Sequence, residues 1–145
     1  MTVLTRFCEL YKDLASIELN DLDGVYHENI VFHDPVTTHE GLADVKHYFA
    51  NLLQNATSCR FTIHQILNCA SPGDDIDHVV LWTMESKSKV IKKGKTLRLD
   101  GTTMLKIQDD HIIYHKDYYD LGQMVYEHIP VLGFIIKSIK KRLAI

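Results

Sequence analysis

The spacing of apolar residues along the chain changes from a helical period to a strand period. In the first third, apolar side chains recur every three or four residues, which predicts amphipathic helices over residues 2–17 and after Gly41. A short helix is expected between them, at residues 20–26. A brief β-branched and aromatic run at residues 30–34 predicts a strand that stops at Pro35, because proline cannot continue a central ladder.

From Cys59 onward, apolar and polar residues alternate as they do in half-buried strands. Four such stretches are separated by the turn-like segments SPGDD, KKGK and QDD: CRFTIHQILN, HVVLWTMESKS, TLRLDGTTMLKI and HIIYHKDYY. Long strands joined mainly by hairpins predict an antiparallel sheet. Helices that precede most of the strands are typical of an α+β domain with its helices on one face of the sheet.

Strand parity assigns faces in the last two of these strands. The mainly apolar odd positions of the first are expected to be buried: Leu97, Leu99, Gly101, Thr103, Leu105 and Ile107. In the final strand the same parity groups His115, Asp117 and Tyr119, but the even positions there are apolar as well. Periodicity therefore leaves open whether His115 and Asp117 point toward the core or toward water.

Length and composition favour one domain that needs no disulfide or metal to hold its core, since the chain has 145 residues, 46% of them hydrophobic. Its three cysteines are an odd number, and charges interrupt the N-terminal pattern where a secretion signal would be apolar. We therefore expect a cytoplasmic protein. The net charge of -3 provides no field that would attract nucleic acid, so we expect no such partner.

Residues 129–145 form an amphipathic segment whose lysines fall largely on a different helical face from its apolar side chains. We assign it to a C-terminal helix of the same domain, after a body of residues 1–128. Charges interrupt it too often for it to span a bilayer. A contact with an anionic membrane surface is an alternative, but Pro130 and Gly133 weaken the helix start, and the sequence favours a lid on the ligand cup or a contact with a partner subunit.

Two motifs and the order of the predicted elements resemble the nuclear transport factor two-like superfamily, also called SnoaL-like. The segment VYHENIVFHDPVTTHEGLADVKHYFANL resembles the first half of ketosteroid isomerases, and GKTLRLDGTTMLKIQDDHIIYHKDYYDL is similar to the last two strands of limonene epoxide hydrolases. The resemblance covers the chain before the tail. It implies a cone-like α+β domain whose N-terminal helices pack on a curved, mostly antiparallel sheet that encloses an apolar cup.

The resemblance also implies catalytic residues. The isomerase base falls on Asp34 and a hydrolase aspartate falls on Asp117, both expected to point into the cup. Two facing carboxylates could share a proton and act as an acid and base pair, with Asp34 removing or relaying a proton and Asp117, oriented by His115, as its partner. A structural alternative for Asp34 is a turn in which its oxygen accepts backbone N–H groups before the proline.

Other positions depart from those relatives. The oxyanion-hole acid of the isomerases falls on Thr103 and their tyrosine on Leu10, while the arginine and partner aspartate of the hydrolases fall on Met84 and Ser86. The expected lining of the cup is Phe32, Trp82, Met84, Leu99, Gly101, Thr103, Tyr119 and Tyr11. The histidines and aspartates lack the spacing of a preformed zinc site, so we expect no metal, and we expect no other cofactor.

These features favour a SnoaL-like enzyme that applies cofactor-free acid and base catalysis to a largely apolar, oxygen-bearing small molecule, by an isomerase, cyclase, dehydratase or hydrolase reaction. The missing oxyanion donors support an alternative, a non-catalytic ligand carrier or dimeric adaptor with the same cup. Apolar residues on both faces of HVVLWTM and HIIYHKDYY predict a homodimer formed through the sheet face opposite the cup.

Overall fold

A computed structural model describes residues 1–70, 75–89 and 95–145. In these ranges the α-helices (α), 3-10 helices (η) and strands (β) follow in the order α1 (Val3–Tyr11), η1 (Leu14–Ser16), η2 (Leu19–Gly24), β1 (Tyr26–His33), β2 (Thr38–Glu40), α2 (Leu42–Gln54), β3 (Ala56–Asn68), β4 (His78–Ser88), β5 (Thr96–Gln108), β6 (His111–Tyr119), α3 (Leu121–Met124), η3 (Tyr126–His128) and α4 (Leu132–Leu143). The predicted turns SPGDD and KKGK lie largely outside the described residues.

The six strands form one sheet in the order β2-β1-β6-β5-β4-β3. Every neighbouring pair is antiparallel except β1 and β6, which run parallel. Irregular pairings lie within β1, β3 and β5, and such bulges bend a strand and increase its twist. The structure confirms the predicted α+β class with a curved, mostly antiparallel sheet.

The N-terminal helical region differs from the prediction in its boundaries. Helix α1 ends at Tyr11, because the side chain of Asp13 accepts the backbone N–H of Ala15 and starts the separate turn η1. Strand β1 begins at Tyr26, where the sequence predicted a helix end. Its partner β6 lies far along the chain, so local spacing carried no signal for this pairing.

Helices α1 and α2 and the short turns pack on one face of the sheet and share a core with it. Helix α1 buries Val3, Phe7 and Leu10, and α2 buries Val45 and Phe49. The turn from β2 into α2 has Gly41 at φ 89°, a left-handed conformation that glycine adopts without a steric penalty.

The orientation of β6, which periodicity left open, is fixed by the sheet. His115 is fully buried at 0% exposure, and it lies on the helix-covered side together with Asp117 and Tyr119. The opposite face leaves Tyr118 and Leu67 exposed. The homodimer through that face stays a prediction.

The predicted C-terminal helix is present as α4, joined to the body by a short stretch of turns. The Lys140 ammonium donates to Asp120 at 3.1 Å and to Glu127 at 2.9 Å. A Cβ atom at Gly133 would lie 2.3 Å from the carbonyl oxygen of Glu127, so only glycine permits this approach. Among the described residues, no helix is long and apolar enough to cross a membrane.

Arg6 joins three separate segments through its guanidinium group. It donates to the carbonyl of Gly24 at 2.7 Å, the carbonyl of Met1 at 2.6 Å and the carbonyl of Asp110 at 2.6 Å, and it also contacts the Asp110 carboxylate at 3.0 Å. The Arg6 side chain is 24% exposed. These bonds fix α1 to η2 and to the turn between β5 and β6.

We expect Arg6→Ala to lower the free energy of unfolding by about 1–3 kcal/mol, because charge-assisted hydrogen bonds between segments are lost together. Urea denaturation measures this. The matched control is Arg60→Ala, since the Arg60 side chain is 71% exposed and has one contact with Asp13 at 3.5 Å. The control should change stability by less than about 0.5 kcal/mol, and equal losses for the two variants would contradict a joining role for Arg6.

Candidate functional site

A cavity of about 130 Å³ lies between the sheet and helices α1 and α2. Its wall is mainly apolar and aromatic. Six of the predicted lining residues are part of it: Tyr11, Phe32, Trp82, Met84, Leu99 and Tyr119. Asp34 and Asp117 line the same cavity, so the structure brings the two predicted carboxylates to one site.

Two predicted lining residues, Gly101 and Thr103, do not belong to the wall. A Cβ atom at Gly101 would lie 2.2 Å from the Trp82 ring, so the indole fills the space above this glycine. Thr103 is buried, and its hydroxyl donates to Asp117 at 2.5 Å. Thr103 thus positions a wall residue and does not form the wall itself.

Asp117 is held through only one of its carboxylate oxygens. Its Oδ1 accepts the Thr103 hydroxyl and lies 2.8 Å from Nε2 of His115. Trp82 Nε1 in turn donates to the Thr103 hydroxyl at 2.8 Å, which leaves the hydroxyl proton of Thr103 for Asp117. Among the described residues, Oδ2 of Asp117 has no hydrogen-bond partner. This oxygen can accept a proton or a hydrogen bond from a ligand in the cavity.

His115 fixes Asp117 from beneath the wall. An ionised carboxylate only accepts hydrogen bonds, so Nε2 of His115 carries the proton toward Asp117. Nδ1 of the ring lies 3.0 Å from the Tyr26 hydroxyl, and the Tyr26 and Tyr11 hydroxyls are 2.6 Å apart. The imidazole also stacks on Phe32, with ring centroids 4.2 Å apart.

The two tyrosines at the far end of this chain stay protonated. Burial raises the pKa of both Tyr11 and Tyr26 well above the ordinary value, and the negative charge of Asp117 adds to the rise. Both hydroxyls therefore remain available as donors. His115 does not line the cavity, so its contact with Asp117 makes it a positioning residue in this geometry. Its predicted part in catalysis stays a prediction.

Asp34 combines the two alternatives that the sequence left open. Its Oδ1 accepts the backbone N–H groups of Val36 at 2.8 Å and Thr37 at 2.9 Å, which is the predicted turn. Its Oδ2 accepts the hydroxyl of Tyr48 at 2.5 Å. Within the described part of the chain, no hydrogen bond joins Asp34 to Asp117. Asp34 is thus a turn residue that also faces the cavity.

The sequence did not indicate Tyr48 as a site residue. Burial raises the pKa of Tyr48 far above its ordinary value, and the hydrogen bond to Asp34 raises it further. The helical period places Tyr48 on the buried side of α2, beside Phe49 and one turn after Val45. A buried tyrosine needs a partner for its hydroxyl, and this was the available signal.

Tyr119 lines the same cavity as the two carboxylates and supplies a hydroxyl there. Burial raises its pKa, and the charges of Asp34 and Asp117 raise it further. No described residue accepts a hydrogen bond from this hydroxyl, although it belongs to the cavity wall. It can donate to an oxygen of a bound ligand, in place of the oxyanion donors that the sequence lacked at Leu10 and Thr103.

The described wall residues give little support to a cysteine nucleophile, to the hydrolase triad or to a metal site. Burial raises the pKa of the Cys59 thiol to about 12, so it is protonated at neutral pH and a poor nucleophile. The Ser86 hydroxyl donates to the carbonyl of Ser58 at 3.1 Å, and Met84 stands where a hydrolase arginine would lie. No lysine or arginine lines the cavity in the described ranges, and no three metal-ligating side chains are grouped there.

The architecture is that of the ketosteroid isomerase-like and nuclear transport factor two-like proteins. A SnoaL-like domain matches residues 5–115, and the chain belongs to this family. No curated protein matches the sequence.

Three solved structures show the likeness in fold. A hypothetical protein with a ketosteroid isomerase-like fold from Catenulispora acidiphila DSM 44928 is 15% identical with a TM-score of 0.70, over 87% of this chain and 90% of that one. A proposed SnoaL-like polyketide cyclase from Jannaschia sp. CCS1 is 12% identical with a TM-score of 0.68, over 89% and 92%. An LEH-like epoxide hydrolase from M. tuberculosis is 12% identical with a TM-score of 0.65, over 84% of this chain and 79% of that one.

We expect Thr103→Val to lower the free energy of unfolding by about 1–3 kcal/mol, because it leaves the Trp82 N–H without an acceptor and removes a donor from Asp117. Urea denaturation followed by tryptophan fluorescence measures the loss. Thr102→Val is the matched control, since Thr102 lies on the opposite face and its side chain forms no hydrogen bond among the described residues. If Thr102→Val lowers the free energy of unfolding as much as Thr103→Val does, the hydrogen bonds of Thr103 make no specific contribution to stability.

Stability should fall as pH rises above about 9, partly because of Cys59. The folded thiol has a pKa of about 12 against an ordinary 9.0, so above pH 9 the folded state binds more protons than the unfolded state. The contribution is complete below pH 9 and is lost toward pH 12, at about 1.4 kcal/mol per pH unit. Urea denaturation at pH 8 and pH 10 measures how far the free energy of unfolding falls between these two pH values. The fall should be smaller for Cys59→Ala than for Cys69→Ala, and an equal fall in the two variants would contradict this assignment.

Proposed function

We propose that this chain is an enzyme that catalyses proton transfer on a small, largely apolar molecule bearing a carbonyl or similar oxygen. The observation that carries the proposal is that Asp117 and Tyr119 line one apolar cavity, while Oδ2 of Asp117 and the Tyr119 hydroxyl have no hydrogen-bond partner within the ranges that the structure describes. An acceptor for a proton and a donor for a developing oxyanion are the two groups that such a reaction needs.

Asp117 acts as the base in this proposal. Its Oδ2 takes a proton from the carbon next to the carbonyl, and negative charge develops on the carbonyl oxygen. Tyr119 donates a hydrogen bond to that oxygen, and protonated Asp117 then returns the proton to a product carbon. Thr103 and His115 hold Oδ1 throughout, so Oδ2 keeps its direction toward the substrate.

Asp34 has a secondary role in the proposed reaction. Three donors already occupy its oxygens, from Val36, Thr37 and Tyr48. Burial raises the pKa of Tyr119, and the negative charges of Asp34 and Asp117 raise it further, so Asp34 tunes this donor. This assignment moves the principal base from Asp34, which the resemblance to isomerases suggested, to Asp117.

The cavity favours substrates about the size of a single ring. Its volume of about 130 Å³ is close to the roughly 150 Å³ of an apolar cavity that admits benzene. The wall offers aromatic faces but no lysine or arginine among the described residues, so a phosphorylated or multiply anionic substrate would lack a counter-charge. Monocyclic unsaturated ketones fit these constraints.

A ligand carrier or adaptor is the second candidate. The full occupation of the Asp34 oxygens favours it, because a carboxylate held by a turn and by Tyr48 has a sufficient structural reason to be present. A ligand carrier requires the cavity but does not require a catalytic base. The two candidates differ in one measurable property, the exchange of substrate protons with solvent.

The test is incubation with a panel of monocyclic unsaturated ketones in deuterated water, with deuterium uptake next to the carbonyl followed by mass spectrometry. We expect uptake with the unsubstituted chain and at least about a hundredfold slower uptake with Asp117→Asn, since general bases contribute factors of that order. Asp34→Asn should slow uptake less, because asparagine can keep the turn through its carbonyl oxygen.

Asp75→Asn is the charge-matched control, since the Asp75 side chain is almost fully exposed, and it should exchange at the unsubstituted rate. Thermal unfolding of each variant checks that the fold is retained. Ligands that stabilise the protein without any deuterium uptake would support the carrier. A larger loss for Asp34→Asn than for Asp117→Asn would reverse the assignment of the base.

A further inference from the structure

Helix α4 carries an apolar stripe that the rest of the chain leaves uncovered. Four apolar residues follow the three- and four-residue spacing of a single helical face, and all are exposed: Leu132, Ile135, Ile139 and Leu143. We call these four residues the tail stripe. The contacts of α4 with the body run through Gly133 and Lys140 instead. The body therefore holds the helix without burying the tail stripe.

The charges of this segment are opposite to those of the rest of the chain. Residues 129–145 contain Lys137, Lys140, Lys141 and Arg142 and no acidic residue. The whole chain has 16 lysines and arginines against 19 acidic residues, so the remainder has 12 against 19 and a net charge of -7. Positive charge is thus concentrated in the segment that carries the tail stripe.

We propose that α4 binds the surface of an anionic lipid bilayer, with the tail stripe in the acyl boundary and the basic side chains at the phosphate level. Exposed apolar residues and cations on one short helix match the two components of such a surface, and the acidic body would stay on the water side. A helix of twelve residues is about 18 Å long at 1.5 Å per residue, which suits a helix lying in the plane of the interface.

The fixed attachment of α4 supports this orientation. Lys140 is bound by Asp120 and Glu127, whereas Lys137, Lys141 and Arg142 form no ion pair among the described residues. These three cations are available to lipid phosphates without breaking a contact of the fold. Val131, at φ 70°, starts the helix after a tight turn in which the N–H of Leu132 bonds the carbonyl of Pro130.

Other occupants fit the same helix less well. The sequence favoured a lid over the cavity or a contact with a partner subunit, but no residue of 129–145 contributes to the described cavity wall. Pairing with α4 of a second copy would bring together two helices that carry only positive charges, with no acidic residue to alternate with them. The anionic surface is the occupant that the charge favours, and this inference does not depend on the proposed enzymatic activity.

The experiment is cosedimentation of the full chain with vesicles of phosphatidylglycerol and phosphatidylcholine, or of phosphatidylcholine alone. We expect binding to the anionic vesicles only, and a loss of binding at high salt, because screening weakens surface electrostatics. The double variant Lys137→Gln, Arg142→Gln should bind at least tenfold more weakly, at about fivefold for each basic residue. The matched control Lys12→Gln, Lys87→Gln removes the same charge from the body and should bind normally.

A second pair of variants tests the tail stripe. Ile135→Gln, Ile139→Gln should abolish binding, whereas Leu19→Gln, Val36→Gln changes two exposed apolar residues of the body and should leave binding intact. Circular dichroism checks the fold of all four variants. The proposal is overturned if the unsubstituted chain does not bind anionic vesicles or binds neutral vesicles equally well. It is overturned likewise if the tail variants bind anionic vesicles as strongly as the unsubstituted chain. It is also overturned if the Ile135, Ile139 variant converts a dimer to a monomer without vesicles, since a second copy would then be the occupant.

Discussion

The hydrogen bonds of Thr103 and His115 to one oxygen of Asp117 are the contact on which the cavity depends. A carboxylate in an apolar wall loses hydration and is tolerated only where donors replace the lost water. Thr103 is the cross-strand partner of Asp117 between β5 and β6, and His115 pairs with Phe32 between β6 and β1. Thr103 and His115 can both reach Asp117 only when the strands pair in this register. The site therefore depends on the same strand alignment as the sheet.

The same sheet register positions the indole of Trp82 in the cavity wall. Trp82 pairs with Gly101, and its ring occupies the volume that a side chain at 101 would need. That position brings the indole N–H to Thr103, which then donates onward to Asp117. Trp82, Thr103 and His115 thus form a connected set of hydrogen bonds that ends at Oδ1 of Asp117, while Oδ2 has no partner among the described residues. Connected hydrogen bonds of this kind hold a site in one geometry.

Asp34 and Asp117 line the same cavity but have different structural roles. Asp34 closes a turn and accepts the Tyr48 hydroxyl, so its position is fixed by local backbone as much as by the cavity. Asp117 accepts no backbone N–H group from the residues that the structure describes, and it is positioned by side chains of two strands. A group held by side chains on rigid strands keeps its direction when a ligand enters, which is a requirement for proton transfer.

The sequence by itself determined the class of the fold, the helical and strand periods, and the residue types of the site. Periodicity marked the odd positions of β5 as buried, and the HDP segment carried both the turn and the acidic side chain at Asp34. These features are local, because they depend on neighbours within a few residues. Tertiary structure alone decided the parallel pairing of β1 with β6, and with it the bond between Tyr26 and His115, 89 residues apart. It also decided that His115 lies under the wall, that Tyr48 meets Asp34, and that α4 stands away from the cavity, because each depends on which distant surfaces come into contact.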